Sequence, residues 1–147
     1  MIGSILKECK IVKVEDSVST GQATTVGEIV DMAGFGGACF IYKLGAVTDA
    51  GAVTLKIYQG TDATVSDVAE LSGASAAIAV ASSDSEQMLV VDVIKPRERY
   101  LRPTIVTATQ DSEIDWGVCI LYNPSEIPVT QTSGIDASTL VVSPAEA

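Results

Sequence analysis

The sequence predicts an all-β protein: an antiparallel β-sandwich, jelly-roll-like, followed by an extended C-terminal arm. Three observations carry that expectation. Short runs of period-two alternation, rich in β-branched and aromatic residues, recur between turn signals along residues 1–123. No segment shows the long apolar stripe at helical spacing that an α/β fold would need. From Asn123 onward the composition changes, with Pro124, Pro128 and Pro144 among scattered serines and threonines, so residues 124–147 are expected as an arm outside the 1–123 sandwich domain.

Residues 10–14 and 26–32 are the first expected strands. In 38–45, Phe40, Tyr42 and Leu44 share one face and Lys43 takes the other, reached through Gly34-Phe35-Gly36-Gly37, whose glycines permit a tight turn or bulge. In 52–59, Val53, Leu55 and Ile57 alternate with Thr54, Lys56 and Tyr58, which gives one buried and one wet face. Asp49 and Gly51 favour a hairpin between these two strands. Residues 60–85 are ambiguous: 67–71 fits one helical turn, and the Ala- and Ser-rich run after Gly73 fits a weak strand or a loop.

In 86–94, Leu89, Val91 and Val93 share a face. Residues 99–108 form the next strand, where Pro103 lacks a ladder donor and is expected at a sheet edge or a bulge. The strongest alternation is 112–122, which sets Ile114, Trp116, Val118, Ile120 and Tyr122 on one face, with Trp116 expected in the core.

At 147 residues the chain fits one domain able to bury its own core. Although 47% of residues are hydrophobic, the longest uncharged small-apolar run, 74–81, is far short of the ~20 residues of a spanning helix. A soluble protein is expected, and the N-terminus shows no secretory pattern, so cytoplasmic synthesis is expected too. Cys9, Cys39 and Cys119 are widely separated and in no C-x-x-C arrangement, which favours buried structural thiols over a disulfide framework or a zinc site. A net charge of −10 works against nucleic acid and anionic lipid as partners, so no nucleic acid and no membrane is expected.

The chain has no histidine, which removes the commonest general base, proton shuttle and metal ligand. A serine hydrolase of the usual kind needs an imidazole, and no two of the many acids stand out as a working pair. Gly34-Phe35-Gly36-Gly37 lacks the Lys-Ser/Thr and the following helix of a phosphate loop. The clusters Asp62, Asp67, Glu70 and Asp111, Glu113, Asp115 match no calcium loop, and the second set is expected on one solvated face. No catalytic residue, cofactor or metal is therefore expected, and the chain reads as no enzyme.

Four of the nine basic residues, Lys95, Arg97, Arg99 and Arg102, crowd into residues 92–103, and none follows Arg102. With Tyr100 they form a candidate partner contact, since guanidinium groups grip carboxylates bidentately and aromatic residues suit interfaces. The bland reading is a solvated hairpin turn whose arginines pair with nearby acids at little energetic gain. In the arm, Leu140, Val141 and Val142 are too apolar for a purely solvated tail. With Ile135 they are a candidate arm contact, made against the chain's own body or at a neighbouring subunit's sheet edge.

The stretches Val30-Asp-Met-Ala-Gly-Phe-Gly-Gly-Ala-Cys-Phe-Ile41, Leu44-Gly-Ala-Val-Thr48, Leu55-Lys-Ile-Tyr-Gln-Gly60, Val91-Asp-Val-Ile-Lys-Pro96, Arg99-Tyr-Leu-Arg-Pro103 and Val142-Ser-Pro-Ala-Glu146 together resemble a group of small structural proteins of tailed bacteriophages. The similarity spans most of the chain, and its motifs are structural. The resemblance implies a cement or decoration protein, a β-sandwich or jelly roll that binds as a homodimer or homotrimer to the outside of the shell built by the major capsid protein. It implies a virion location after synthesis in the host cytoplasm. A neck, tail or fibre-base protein shares this profile. From another class, a carbohydrate-binding β-sandwich using Trp116 and the tyrosines as stacking platforms is the competitor.

Overall fold

A computed structural model of the chain describes residues 3–64, 67, 69–81 and 84–143. Among the described residues one short helix, α1 (Ile5–Glu8), precedes ten strands: β1 (Lys10–Glu15), β2 (Val18–Gly21), β3 (Thr24–Val26), β4 (Val30–Asp31), β5 (Phe35–Val47), β6 (Ala52–Gly60), β7 (Ala69–Ala79), β8 (Met88–Ile94), β9 (Tyr100–Ala108) and β10 (Ser112–Pro124). One sheet runs β1-β10-β5-β8 with β2 also on β10; the other runs β3-β9-β6-β7 with β4 also on β9. Every pairing is antiparallel. If β1 with β2, and β3 with β4, are each taken as one broken strand, the two sheets read 1-8-3-6 and 2-7-4-5. That is the jelly-roll order, in which successive strands pass back and forth between two packed sheets.

Alternation in the strands explains the core. Phe40, Tyr42 and Leu44 of β5 are fully buried against Val53, Leu55 and Ile57 of β6, and Leu89, Val91 and Val93 of β8 close one side. Leu101 and Ile105 of β9, with Ile114 and Leu121 of β10, complete the layer between the sheets. Each strand contributes every second side chain, as a pleated strand over a one-sided core requires.

Five expectations are corrected. The strand expected over 26–32 is split into β3 and β4, because residues 27–29 leave the sheet and the Glu28 N–H donates to the Val14 carbonyl of the other sheet at 2.7 Å. That break accommodates Pro103, which lies in β9, an interior strand and not an edge. Pro103 is in register with Ile57 of β6 on one side, while on the other its carbonyl accepts from the Gly27 N–H at 2.9 Å. A residue's N–H and C=O point to the same side of a strand, so the donor that proline lacks faces the gap between β3 and β4 and no ladder bond is lost.

The ambiguous region becomes β7, which pairs with β6 from Ala69↔Gln59 to Ala79↔Ala52. In place of a helical turn over 67–71, Asp67 lies in a turn and Ala69 begins the strand; residues 65, 66, 68, 82 and 83 lie outside the described residues. The strand expected over 86–94 begins at Met88, after Glu86 turns the chain at φ 66°.

The last correction concerns β10. Its register against β5 shifts between Ile114 and Trp116. Side-chain period in a strand is two, so a local bulge exchanges the faces of everything beyond it. Ile114 points inward, but Gly117, Cys119 and Leu121 take the buried face after it, and Trp116 turns out to solvent at 38% exposure. The physical reason is Tyr42. A Cβ on Gly117 would lie 2.6 Å from Cζ of Tyr42 and 2.9 Å from Cβ of Glu15, and a Cβ on Gly27 would lie 2.7 Å from Oη of Tyr42. The buried ring fits only because glycine stands at both places.

Cys9 and Cys119 are buried free thiols, while Cys39 is half-buried. Burial pushes the Cys119 thiol well above the ordinary thiol range, the reverse of what a reactive cysteine needs. Gly117→Ala is expected to lower unfolding free energy by roughly 1–3 kcal/mol, the usual cost of overpacking. Gly134→Ala, whose added Cβ would meet nothing closer than 3.7 Å, should change it little; urea unfolding of both variants checks the contrast.

Candidate functional site

The structure distributes the basic stretch over three settings. Lys95 and Arg97 are exposed in the turn between β8 and β9, where Lys95 holds φ 51° and its N–H donates to the Gly36 carbonyl at 2.8 Å. Arg99 is already engaged: Nε and Nη2 reach the two carboxylate oxygens of Asp31 at 2.9 and 2.8 Å, and the guanidinium lies 5.1 Å from the Tyr100 ring centroid. The Arg99 hydrogen bond and charge hold the Asp31 carboxyl below its ordinary range. Arg102 lies on the outer face of the second sheet, 5.5 Å from the Tyr58 ring centroid. Sequence proximity therefore does not make one continuous patch: among the described residues Lys95 and Arg97 form no ion pair, and two arginines are committed within the fold.

A larger feature went unread in the sequence. The outward face of the sheet β1-β10-β5-β8 is apolar over its middle, with Lys13 of β1 and Asp92 of β8 at the ends of its rows. Val118 of β10, Ile41 of β5 and Val90 of β8 are in register, as are Ile11 of β1, Ile120 of β10 and Cys39 of β5. Trp116 and Met88 flank Lys43 in the next row, and Ile94 stands beyond. The opposite outer face, by contrast, is built of Thr54, Lys56 and Tyr58 with Arg102, and Lys56 pairs with Glu70 at 3.3 Å. Alternation alone would have revealed this only with the correct phase for β10, because both of its faces are apolar beyond the bulge.

Two polar clusters frame the apolar face. Lys43 is held between Asp115 and Glu86. The Tyr122 ring lies across Gly37, where a Cβ would sit 2.2 Å from Cζ, and its hydroxyl donates to Asp92 at 2.7 Å. Burial and then the Asp92 carboxylate raise the Tyr122 hydroxyl above its ordinary range.

The arm has two parts. Its first part is fastened to the body: the Val129 N–H donates to the Lys7 carbonyl at 2.7 Å, and the Gln131 side chain accepts from the Ile11 N–H at 3.0 Å while donating to the carbonyls of Leu6 and Cys9. Thr132 Oγ1 donates to the Ile11 carbonyl at 3.2 Å. These contacts cover the outer edge of β1. Beyond them Ile135 is half-buried, whereas Leu140, Val141 and Val142 are exposed. Gln131 carries no sequence signal for this role, since its partners lie some 120 positions away.

The clefts are shallow. One of about 330 Å³ is bounded by Lys10, Gly34, Phe35, Glu126 and Val129, and another of about 270 Å³ by Met32, Phe35, Arg97 and Arg99. A cleft of about 80 Å³ gathers Glu15, Asp16 and Glu28, and burial holds the Glu15 carboxyl above its ordinary range. Asp67 accepts from the N–H and hydroxyl of Thr61, and Asp62 from those of Thr64, so both acids organise their own loop. Among the described residues no group of three His, Cys, Asp or Glu is placed to hold a metal ion, and no helix is long and apolar enough to cross a membrane.

No protein-family model matches the chain, and no curated protein matches it. Among solved structures, the chain is similar to one from Bacillus endospore appendages, described as a novel family of disulfide-linked pili, at 16% identity and TM-score 0.48 over 81% of this chain and 91% of that one. It is similar to a chain of infectious bursal disease virus strain Gt at 9% identity and TM-score 0.49, over 83% of this chain but only 34% of that one. A carbohydrate-binding module from Cellvibrio mixtus lichenase 5A, in complex with cellotriose, matches at 12% identity and TM-score 0.33, over 77% and 96%. None of these likenesses transfers a function or a residue.

The Asp31–Arg99 pair is about half exposed on both sides, so a double-mutant cycle with alanine should return less than about 1 kcal/mol of coupling. Its sign with pH follows from the lowered Asp31 carboxyl: the contribution is present above the unfolded carboxyl value, 3.8, and is lost as pH falls through the lower folded value. Unfolding curves between pH 6 and about pH 2.5 should show that loss in the parent and not in Arg99→Ala.

Proposed function

We propose that the protein is a non-enzymatic structural component of a tailed-phage virion that binds the outside of the major capsid protein shell and stabilises it as a cement. The observation that carries this reading is the apolar outward face of the first sheet. A body of net charge −10 stays dispersed by self-repulsion, yet it presents Ile41, Val90, Val118 and Ile120 in adjoining rows. Contiguous apolar surface of this kind marks an interaction site.

Burial of such a face against a shell yields about 25 cal/mol per Å² of apolar area removed from water. Repetition over many lattice positions turns modest contacts into a lasting clamp. No turnover is required. Lys95 and Arg97 would meet acidic groups on the shell, and Ile135, Leu140, Val141 and Val142 would lie on it as an extended strap. The resemblance to small phage structural proteins points the same way.

The carbohydrate platform draws less support. Tyr42 is buried, Tyr58 and Tyr100 lie beneath guanidinium groups, and Tyr122 covers Gly37. Trp116 would have to act without them.

Adding purified protein to phage heads stripped of it should restore their thermal resistance. A chain ending at Gly134, which keeps the fastened part of the arm, should stay folded and bind heads at least about tenfold more weakly, a loss of roughly 1.4 kcal/mol. Heads that remain fragile after addition, immunogold label confined to tails, or binding to glycan alone would overturn the cement reading.

A further inference from the structure

The four sheet edges of this sandwich are treated unequally. The outer edge of β1 is covered by the arm, through Gln131 and Thr132. The edge formed by β3 and β4 consists of two short pieces. That of β7 carries small side chains, a positive-φ glycine at Gly73 and a register shift. Each is a recognised way of blunting an edge. The edge of β8 has none of them: it is a regular seven-residue strand, Met-Leu-Val-Val-Asp-Val-Ile, paired with β5 without irregularity and holding no Pro, Gly or Lys.

Backbone phase shows what this edge offers. The Leu44 N–H donates to the Gln87 carbonyl at 2.9 Å, and the Lys95 N–H donates to the Gly36 carbonyl at 2.8 Å. Odd-numbered residues of β8 are therefore turned toward β5, and the N–H and C=O groups of Met88, Val90, Asp92 and Ile94 point away from the sheet. Among the described residues these outward groups have no backbone partner. Three of the four side chains are apolar and lie on the solvent face, Met88 at 59%, Val90 at 50% and Ile94 at 68% exposure.

We propose that β8 is the seam of a two-fold homodimer in which the edges of two copies pair antiparallel and join their apolar sheets into one. The register follows from the residues. With the axis at Val91, Met88 faces the partner subunit's Ile94 and Val90 faces the partner subunit's Asp92. All outward groups are then satisfied by about eight N–H···O=C bonds. An axis at Asp92 would set two carboxylates against each other, and an axis at Val90 would leave Ile94 without a strand residue opposite.

Charge favours the same arrangement. The approach to β8 carries Asp84 and Glu86, the latter also paired with Lys43, and its exit carries Lys95, Arg97 and Glu98, a net positive charge. Antiparallel pairing brings the acidic end of each copy to the basic end of the other, twice, which offsets the repulsion between two anionic bodies and rejects a parallel arrangement. The seam stands on β8 alone and does not depend on which larger assembly the protein joins.

Analytical ultracentrifugation of the full chain tests the seam. At about 100 μM the protein should sediment at twice its 15.2 kDa mass, with dissociation in the micromolar range or tighter. Val90→Pro removes only an outward N–H, so it should weaken association at least about tenfold while circular dichroism and the urea midpoint show a folded body. Val90→Glu and Val90→Lys, both at an exposed side chain, supply the register: glutamate opposite the partner subunit's Asp92 should dissociate severalfold more readily than lysine there. A monomer at that concentration, a trimer, a folded Val90→Pro protein that associates like the parent, or equal effects of Glu and Lys would each overturn the seam.

Discussion

The fit of the Tyr42 ring between Gly27 and Gly117 sets the phase of the whole first sheet. Tyr42 is fully buried, and its ring occupies the volume that any side chain at position 117 would need. β10 meets this constraint by shifting register between Ile114 and Trp116. After the shift Gly117, Cys119 and Leu121 face the core, and Trp116, Val118, Ile120 and Tyr122 face outward. One steric requirement thus decides which half of a strand apolar on both sides is left exposed.

Consequences spread across the sheet in register. Outward Val118 and Ile120 meet Ile41 and Cys39 of β5, and through them Val90 and Asp92 of β8. Outward Tyr122 crosses Gly37 to donate to Asp92, so the one charge on the β8 edge is tied back to the body. The two outer faces of the sandwich thereby differ, the first sheet apolar over its middle with Lys13, Lys43 and Asp92 around it, the second polar.

Electrostatics divides along the same lines. A cluster of cations on an anionic chain reads as one docking site, but the fold uses Arg99 to fasten the turn to β4 through Asp31 and lays Arg102 along Tyr58. Each residue keeps its charge, yet only Lys95 and Arg97 extend into solvent at the end of β8. In the proposed seam they stand at the opposite end of that strand from Asp84 and Glu86.

The amino-acid sequence by itself determined the all-β class, most strand positions, the inward faces of β5, β6 and β8, and the change of character at the arm. Alternation and turn residues are local signals, and the buried sides of Phe40, Leu55 and Val91 follow from them directly. The outward turn of Trp116, the interior place of Pro103 and the anchoring by Gln131 were decided only in three dimensions. Each depends on a partner far along the chain: the Tyr42 ring for the phase of β10, the gap at residues 27–29 for the missing proline donor, the backbone of α1 and β1 for the glutamine. The candidate site divides in the same way, since Lys95, Arg97 and the apolar arm residues stand out in the sequence. The apolar sheet face does not, because a strand with hydrophobic residues on both sides carries no mark of which side the core will take.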